Sequence, residues 1–139
     1  METTEQQAQA QVMRVNARNG DVNAYGDYTV KHWFSAGSDA VPMTEDFVHQ
    51  GAGKSLTIMA MGFAGETGEV IEKIKKIFRG DPDAPDMPAI KKELGDAFFY
   101  LVRLCRYFGW QPSEVIGTNI DKLDDRRARG ASRGSGDNR

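Results

Sequence analysis

Cysteine is nearly absent. Cys105 stands alone among 139 residues, so no internal disulfide can form, and a reducing, cytoplasmic setting is expected. Histidine is almost as scarce. Neither His32 nor His49 follows a glutamate by three residues, so the Glu-x-x-His pattern of iron-carboxylate bundles is missing. No apolar run approaches the roughly 20 residues that span a bilayer. The polar start "METTEQQAQAQ" has no basic stretch followed by an apolar one, as a secretory signal would. Neither sign of charge dominates: a net charge of −2 gives no global pull toward nucleic acid. No segment alternates with period two for long enough to make a strand. These absences leave a soluble, intracellular, single-domain α-helical chain, without a membrane or nucleic-acid partner, as the expectation.

Helical spacing begins in earnest at Met43. A short helix is expected from Thr44 to about Gln50, then a long one from Lys54 to Arg79 carrying Ile58, Met61, Val70, Ile74 and Ile77. Gly80 stops it, and "DPDAPDMP" cannot continue it. The next helix starts near Pro88, with Asp86 or Met87 just outside, and runs to Phe108. Its inward face is read as Leu94, Ala97, Phe98, Leu101, Leu104 and Cys105. A last helix opens at Pro112 or Ser113 and carries Val115, Ile116, Ile120 and Leu123. The reading is an all-α, four-helix-bundle-like domain over residues 43–129. Before it lies an extension, residues 1–42. There Glu5 to Arg18 can form a polar helix, "NGDVNAYGDY" and "SAGSDAVP" look turn-rich, and Tyr25, Tyr28, Trp33 and Phe34 are expected to pack. The tail, residues 130–139, is glycine, serine and charge, and is expected to be disordered. The two longest helices are apolar around much of their circumference, with Phe63, Ile71 and Phe78 on one and Phe99 and Val102 on the other. That excess calls for a partner surface, most simply a second copy.

Glycine offers one false lead. "GAGKS" ends like a phosphate-cradling loop, but that signature needs a glycine where Val48 stands and a buried strand upstream. It reads better as a helix break, with Lys54 a candidate phosphate contact. The chemistry lies in the acids. "GETGEV" places Glu66 and Glu69 three apart on one helix, and "KKELGDAF" does the same for Glu93 and Asp96 on the next. Helices joined by a short loop are antiparallel neighbours, so the two pairs can converge. Converging carboxylates repel, and a hard divalent cation such as Mg²⁺ or Mn²⁺ removes the penalty. The plainer reading is a solvated acidic face on which Glu69 pairs with Lys73. Against it stand Gly65, Gly68 and Gly95, poor helix formers that let a helix or a ligand approach. In "NIDKLDDRRARG", Asn119, Lys122 and Arg126 share one face and suit phosphate oxygens and a sugar or base edge. A solvated basic helix end is the alternative.

Together these phrases resemble the MazG-like all-α nucleoside triphosphate pyrophosphohydrolases, relatives of the dimeric dUTPases, in their compact bacterial and phage form. The resemblance spans roughly Thr44 to Gly130. It implies Mg²⁺-dependent cleavage of a (deoxy)nucleoside triphosphate to monophosphate and pyrophosphate by a homodimer or homotetramer. On it, Glu66, Glu69, Glu93 and Asp96 are the metal ligands, and Glu69 orients or deprotonates the attacking water. Lys76 reaches the phosphates, Tyr100 stacks on or hydrogen-bonds the sugar, and Asn119, Lys122 and Arg126 hold phosphate or nucleotide. A helical interaction module that kept the bundle and lost turnover is the competing reading.

Overall fold

A computed structural model describes residues 3–33 and 53–130. They form five helices: α1 (Thr4–Arg18), α2 (Val22–Lys31), α3 (Gly53–Arg79), α4 (Met87–Tyr107) and α5 (Pro112–Ala128). The architecture is all-α, and no strand occurs among the described residues. The helix expected over Thr44 to Gln50, the "SAGSDAVP" turn, Phe34 and residues 131–139 lie outside them.

The helix ends follow local chemistry. Gly80 adopts a φ of 71°, and the next amide, Asp81 N–H, donates back to the Lys76 carbonyl at 3.2 Å. Gly109, with a φ of 79°, ends α4 in the same way, Trp110 N–H reaching the Cys105 carbonyl at 2.9 Å. Both are left-handed closures that satisfy otherwise orphaned carbonyls. Asp86 starts α4, its carboxylate accepting from Ala89 N–H at 2.9 Å, with Pro88 in the first turn. These stops fold α3 back on α4, and the two make the most extensive helix pair in the structure. Their contacts run in opposite directions: Gly62 meets Tyr100, Glu66 meets Asp96, and Lys73 meets Glu93. The pair is antiparallel, as the short connection requires.

Two sequence expectations are corrected. "NGDVNAYGDY" is not a turn-rich segment but the start of α2. Asp21 caps that helix by accepting from the Asn23 and Ala24 amides, each at 3.0 Å. Gly26 there serves close packing rather than a turn, since a β-carbon would lie 3.2 Å from both Arg106 Cδ and Pro112 Cγ. Around it, Asn23 exchanges hydrogen bonds with Ser113 at 2.9 and 3.0 Å, and Asp27 pairs with Arg106 at 3.1 Å. Thus α2 docks on α4 and the start of α5. The second correction concerns the inward face of α4, which is Ile90, Ala97, Val102, Arg103, Cys105 and Tyr107. Leu94, Phe98 and Leu101 are each exposed. Periodicity identifies an apolar stripe but not which side a neighbour covers, and here Trp33 and α2 cover the Phe99–Arg103 side.

The core is small. Met59 and Tyr107 are fully buried, with Trp33, Leu56, Leu104 and Phe108 packed around them. Much apolar surface stays outside, including Phe78 at 88% exposure and Ile71 at 65%.

Of the glycines in α3, Gly62 alone touches a neighbouring helix: a β-carbon there would lie 2.3 Å from Tyr100 Cε1. Around Gly65 the space is open. Gly62→Ala should therefore lower stability by about 1–2 kcal/mol, overpacking outweighing the gain in helix propensity. Gly65→Ala should instead be neutral or raise stability by up to ~1 kcal/mol. Urea unfolding of both variants checks this; equal effects at the two positions would show that the Gly62–Tyr100 contact does not set the helix spacing.

Candidate metal centre

Glu66 comes from the middle of α3, and Glu93 and Asp96 from successive turns of α4. One carboxylate oxygen of each lies within 4.8 Å of the other two. Helical spacing puts Glu93 and Asp96 on one face, and the α3–α4 register brings Glu66 opposite them. Glu66 and Glu93 are half-buried, and Asp96 is exposed. The Glu66 carboxyl is held above its usual range, first by burial and then by the charges of Asp96, Glu69 and Glu93. Lys73 Nζ sits 3.1 Å from Glu93 Oε1 and contributes one positive charge against this group. Oxygens that accept but do not donate, crowded together and short of positive charge, fit a hard divalent cation.

The other expected site residues fall in three places. Glu69 is exposed and outside the group of three, although its charge is felt at Glu66. It lines a neighbouring cleft of about 360 Å³ with Glu72, Lys73, Lys76, Asp83 and Pro85. Lys76 is in that cleft, 3.4 Å from Asp83 on the connection to α4. Tyr100 is half-buried against Gly62 and meets Trp33 edge-on at 6.2 Å. In this position it packs α3, α4 and the segment after α2 together. Asn119 and Lys122 line a separate cleft on α5 with Trp110, Glu114, Val115 and Thr118. Arg126 is buried, only 7% exposed. Within one chain, then, the α5 trio is not gathered with the carboxylates. The Lys54 side chain lies outside the described residues. Gly53 to Ser55 form the first turn of α3, where a phosphate-cradling loop would need a preceding strand.

Gly65, Gly68 and Gly95 do not bring the helices together, because a β-carbon at each would meet nothing within 4 Å. They leave open space beside the acids instead. Lys73 is a site residue whose role sequence reasoning placed elsewhere, pairing it with Glu69 one turn away. The only sequence signal for the Glu93 contact is that Lys73 lies two turns beyond Glu66 on the same helix.

The raised Glu66 carboxyl has a definite sign. In the metal-free chain, the stability this group contributes is greatest with the proton on and is lost as pH rises through its folded pKa, above the ordinary 4.5. Mg²⁺ should therefore stabilise the protein at neutral pH, by about 2.7 kcal/mol at a hundredfold excess over Kd, a rise of several degrees in Tm. The increment should vanish as pH falls through that raised pKa, and Glu66→Gln should raise Tm in chelator while abolishing the increment. Thermal scans with Mg²⁺ and with chelator at two pH values measure all three effects.

Comparison with known proteins bears on the same stretch. Residues 54–130 match the MazG nucleotide pyrophosphohydrolase domain. The Gene 37 protein of Mycobacterium phage L5 is 34% identical over 108 residues, covering 71% of this chain and 94% of that protein. No solved structure matches the chain. The matched region contains all three clustered carboxylates and the helix pair that presents them, and the chain belongs to the family of the MazG nucleotide pyrophosphohydrolase domain.

Proposed function

We propose that the chain is a Mg²⁺-dependent pyrophosphohydrolase that converts a (deoxy)nucleoside triphosphate to the monophosphate and pyrophosphate, with Mn²⁺ as a substitute metal. The carrying observation is the Glu66, Glu93 and Asp96 group beside a cleft that holds both a further carboxylate and two lysines. Those three residues would hold the cation, which when bound supplies charge neutralisation for the polyphosphate and acidification of water. Glu69, at the rim of the group, orients or deprotonates the water that attacks the α-phosphorus. The water oxygen ends on the monophosphate, and the α–β bridging oxygen leaves with pyrophosphate. Lys73 and Lys76, each now paired with a carboxylate, exchange those partners for phosphate oxygens.

The same reading supports an assembly. Ile116, Ile120 and Leu123 on α5 are outward, as are Ile71 and Phe78 on α3. A homodimer or homotetramer would cover such faces. It would also let α5 of one copy, with Asn119, Lys122 and Arg126, approach the carboxylates of another.

Separating chemistry from metal binding tests the roles. Glu69→Gln should cut kcat by at least ~100-fold while keeping the Mg²⁺-induced rise in Tm. Asp96→Asn should lose both, and an Asp96→Asn protein that folds and turns over normally would sink the assignment. A chain that gains Tm with Mg²⁺ but releases no pyrophosphate from any common triphosphate would instead be a binding module. Light scattering tests the assembly independently: a stable dimer or tetramer is expected at micromolar concentration, and a monomer rejects it. In an assembly, Lys122→Ala should lower kcat/KM about tenfold or more.

A further inference from the structure

We infer that the cleft between α1 and α2 holds the nucleobase of the substrate whose phosphates lie at the α3–α4 carboxylates. The inference rests on the chain acting on nucleotides, but it concerns residues outside the family-matching stretch 54–130. A triphosphate group is alike in every nucleotide. Recognition of the base must come from rings and hydrogen-bonding groups, and the carboxylates of the metal centre provide neither rings nor donors.

The cleft has about 320 Å³ and is lined by Arg14, Ala17 and Arg18 of α1 with Tyr25 and Tyr28 of α2. That is the size of a small-ligand site. Its rings are ordered. Tyr28 and Tyr25 lie 6.2 Å apart at 14°, and Tyr25 and Phe98 lie 5.5 Å apart at 13°. This near-parallel series crosses from α2 to α4 and ends two residues from Asp96. The Asp96 charge reaches Tyr25, where with burial and Tyr28 it raises the phenol pKa, so the hydroxyl remains a proton donor at neutral pH. The cleft is therefore next to the carboxylates rather than on a remote face.

Charge supports the same assignment. Among the described residues Arg14 and Arg18 make no ion pair, whereas Arg79, Arg106 and Arg129 each hold an aspartate. The two guanidiniums are one helical turn apart on α1 and line the same cleft. Arginine offers donors and no acceptor, and it stacks on planar rings. Such a lining suits a base edge rich in acceptors, above all the O6 and N7 of guanine, which one guanidinium contacts together. Helix α1 buries no residue of its own, so its side of the cleft is not explained by core packing. A capping box at Thr3 and Gln6 holds its start.

The test uses the full chain carrying Arg14→Gln with Arg18→Gln, and separately Tyr28→Leu. Kinetics on the four common triphosphates are read beside inhibition by inorganic tripolyphosphate, which has phosphates and no base. Metal-free binding of the four nucleoside monophosphates is measured by calorimetry. The expected result for the double variant is about a tenfold or greater rise in KM for the preferred nucleotide, with kcat within about twofold and tripolyphosphate inhibition unchanged. Binding of the matching monophosphate should weaken by a similar factor, with the guanine nucleotide bound most tightly by the unaltered chain. Unchanged KM and unchanged monophosphate binding in variants with normal circular dichroism would overturn the inference and leave the hydrolase reading standing. Monophosphate binding that responds while KM does not would also overturn it, because the cleft would then serve a second nucleotide. A changed oligomeric state with unchanged binding would make the α1 surface an interface, and equally overturn it. If no triphosphate is hydrolysed at all, the hydrolase reading fails, and the calorimetry alone decides whether the cleft takes a base.

Discussion

The structure depends on holding like charges together. Glu66, Glu93 and Asp96 would separate if their helices were free to turn or slide, since each carboxylate raises the cost of ionising the next. What prevents this is the antiparallel α3–α4 pair. Asp86 and Gly80 set where its helices begin and end, and Tyr100 seats against the bare backbone at Gly62. A side chain at Gly62 would change the spacing from which the carboxylate group takes its dimensions. Packing and capping thus maintain an arrangement that electrostatics alone opposes. That is the usual state of a site awaiting a cation.

The N-terminal hairpin is joined to this pair by specific contacts. Asn23 satisfies the first turn of α5, Asp27 pairs with Arg106, and Gly26 lets the α2 backbone approach Arg106 and Pro112. Beyond α2, Trp33 lies over the buried Arg103 guanidinium at 5.2 Å and packs beside Phe99 and Tyr100. Tyr100 therefore connects the hairpin side of the molecule to the close contact at Gly62. A change in how α2 sits would be transmitted to the helix bearing Glu93 and Asp96 through packed side chains.

The apolar surface follows a different logic from the site. A pair of long helices with a short third one has little interior, and among the described residues only Met59 and Tyr107 form a fully buried hydrophobic cluster. Small cores are marginal. Outward Ile71, Phe78, Ile120 and Leu123 are difficult to reconcile with a lone chain in water, and natural to one that associates.

By itself, the sequence determined the helices and their ends. Apolar spacing, Gly80, Gly109, Asp86 and Pro112 act within a turn or two of their own positions, so α3, α4 and α5 were legible to within a residue or two. The three-residue spacing of the acids was legible for the same reason, and with it the kind of cation they suit. Tertiary structure decided what local signals do not carry. It turned Asn23 to Tyr28 into a helix around a glycine that reads as a turn but serves packing. It chose Val102 and Arg103 over Leu94 and Leu101 as the inward face of α4, because Trp33 and α2 cover that side. It gathered Glu66, Glu93 and Asp96 while leaving Glu69 at the rim, and it gave Lys73 to Glu93 rather than to Glu69. Each outcome depends on which helix lies opposite and in what register, and a register is a property of two segments packed together.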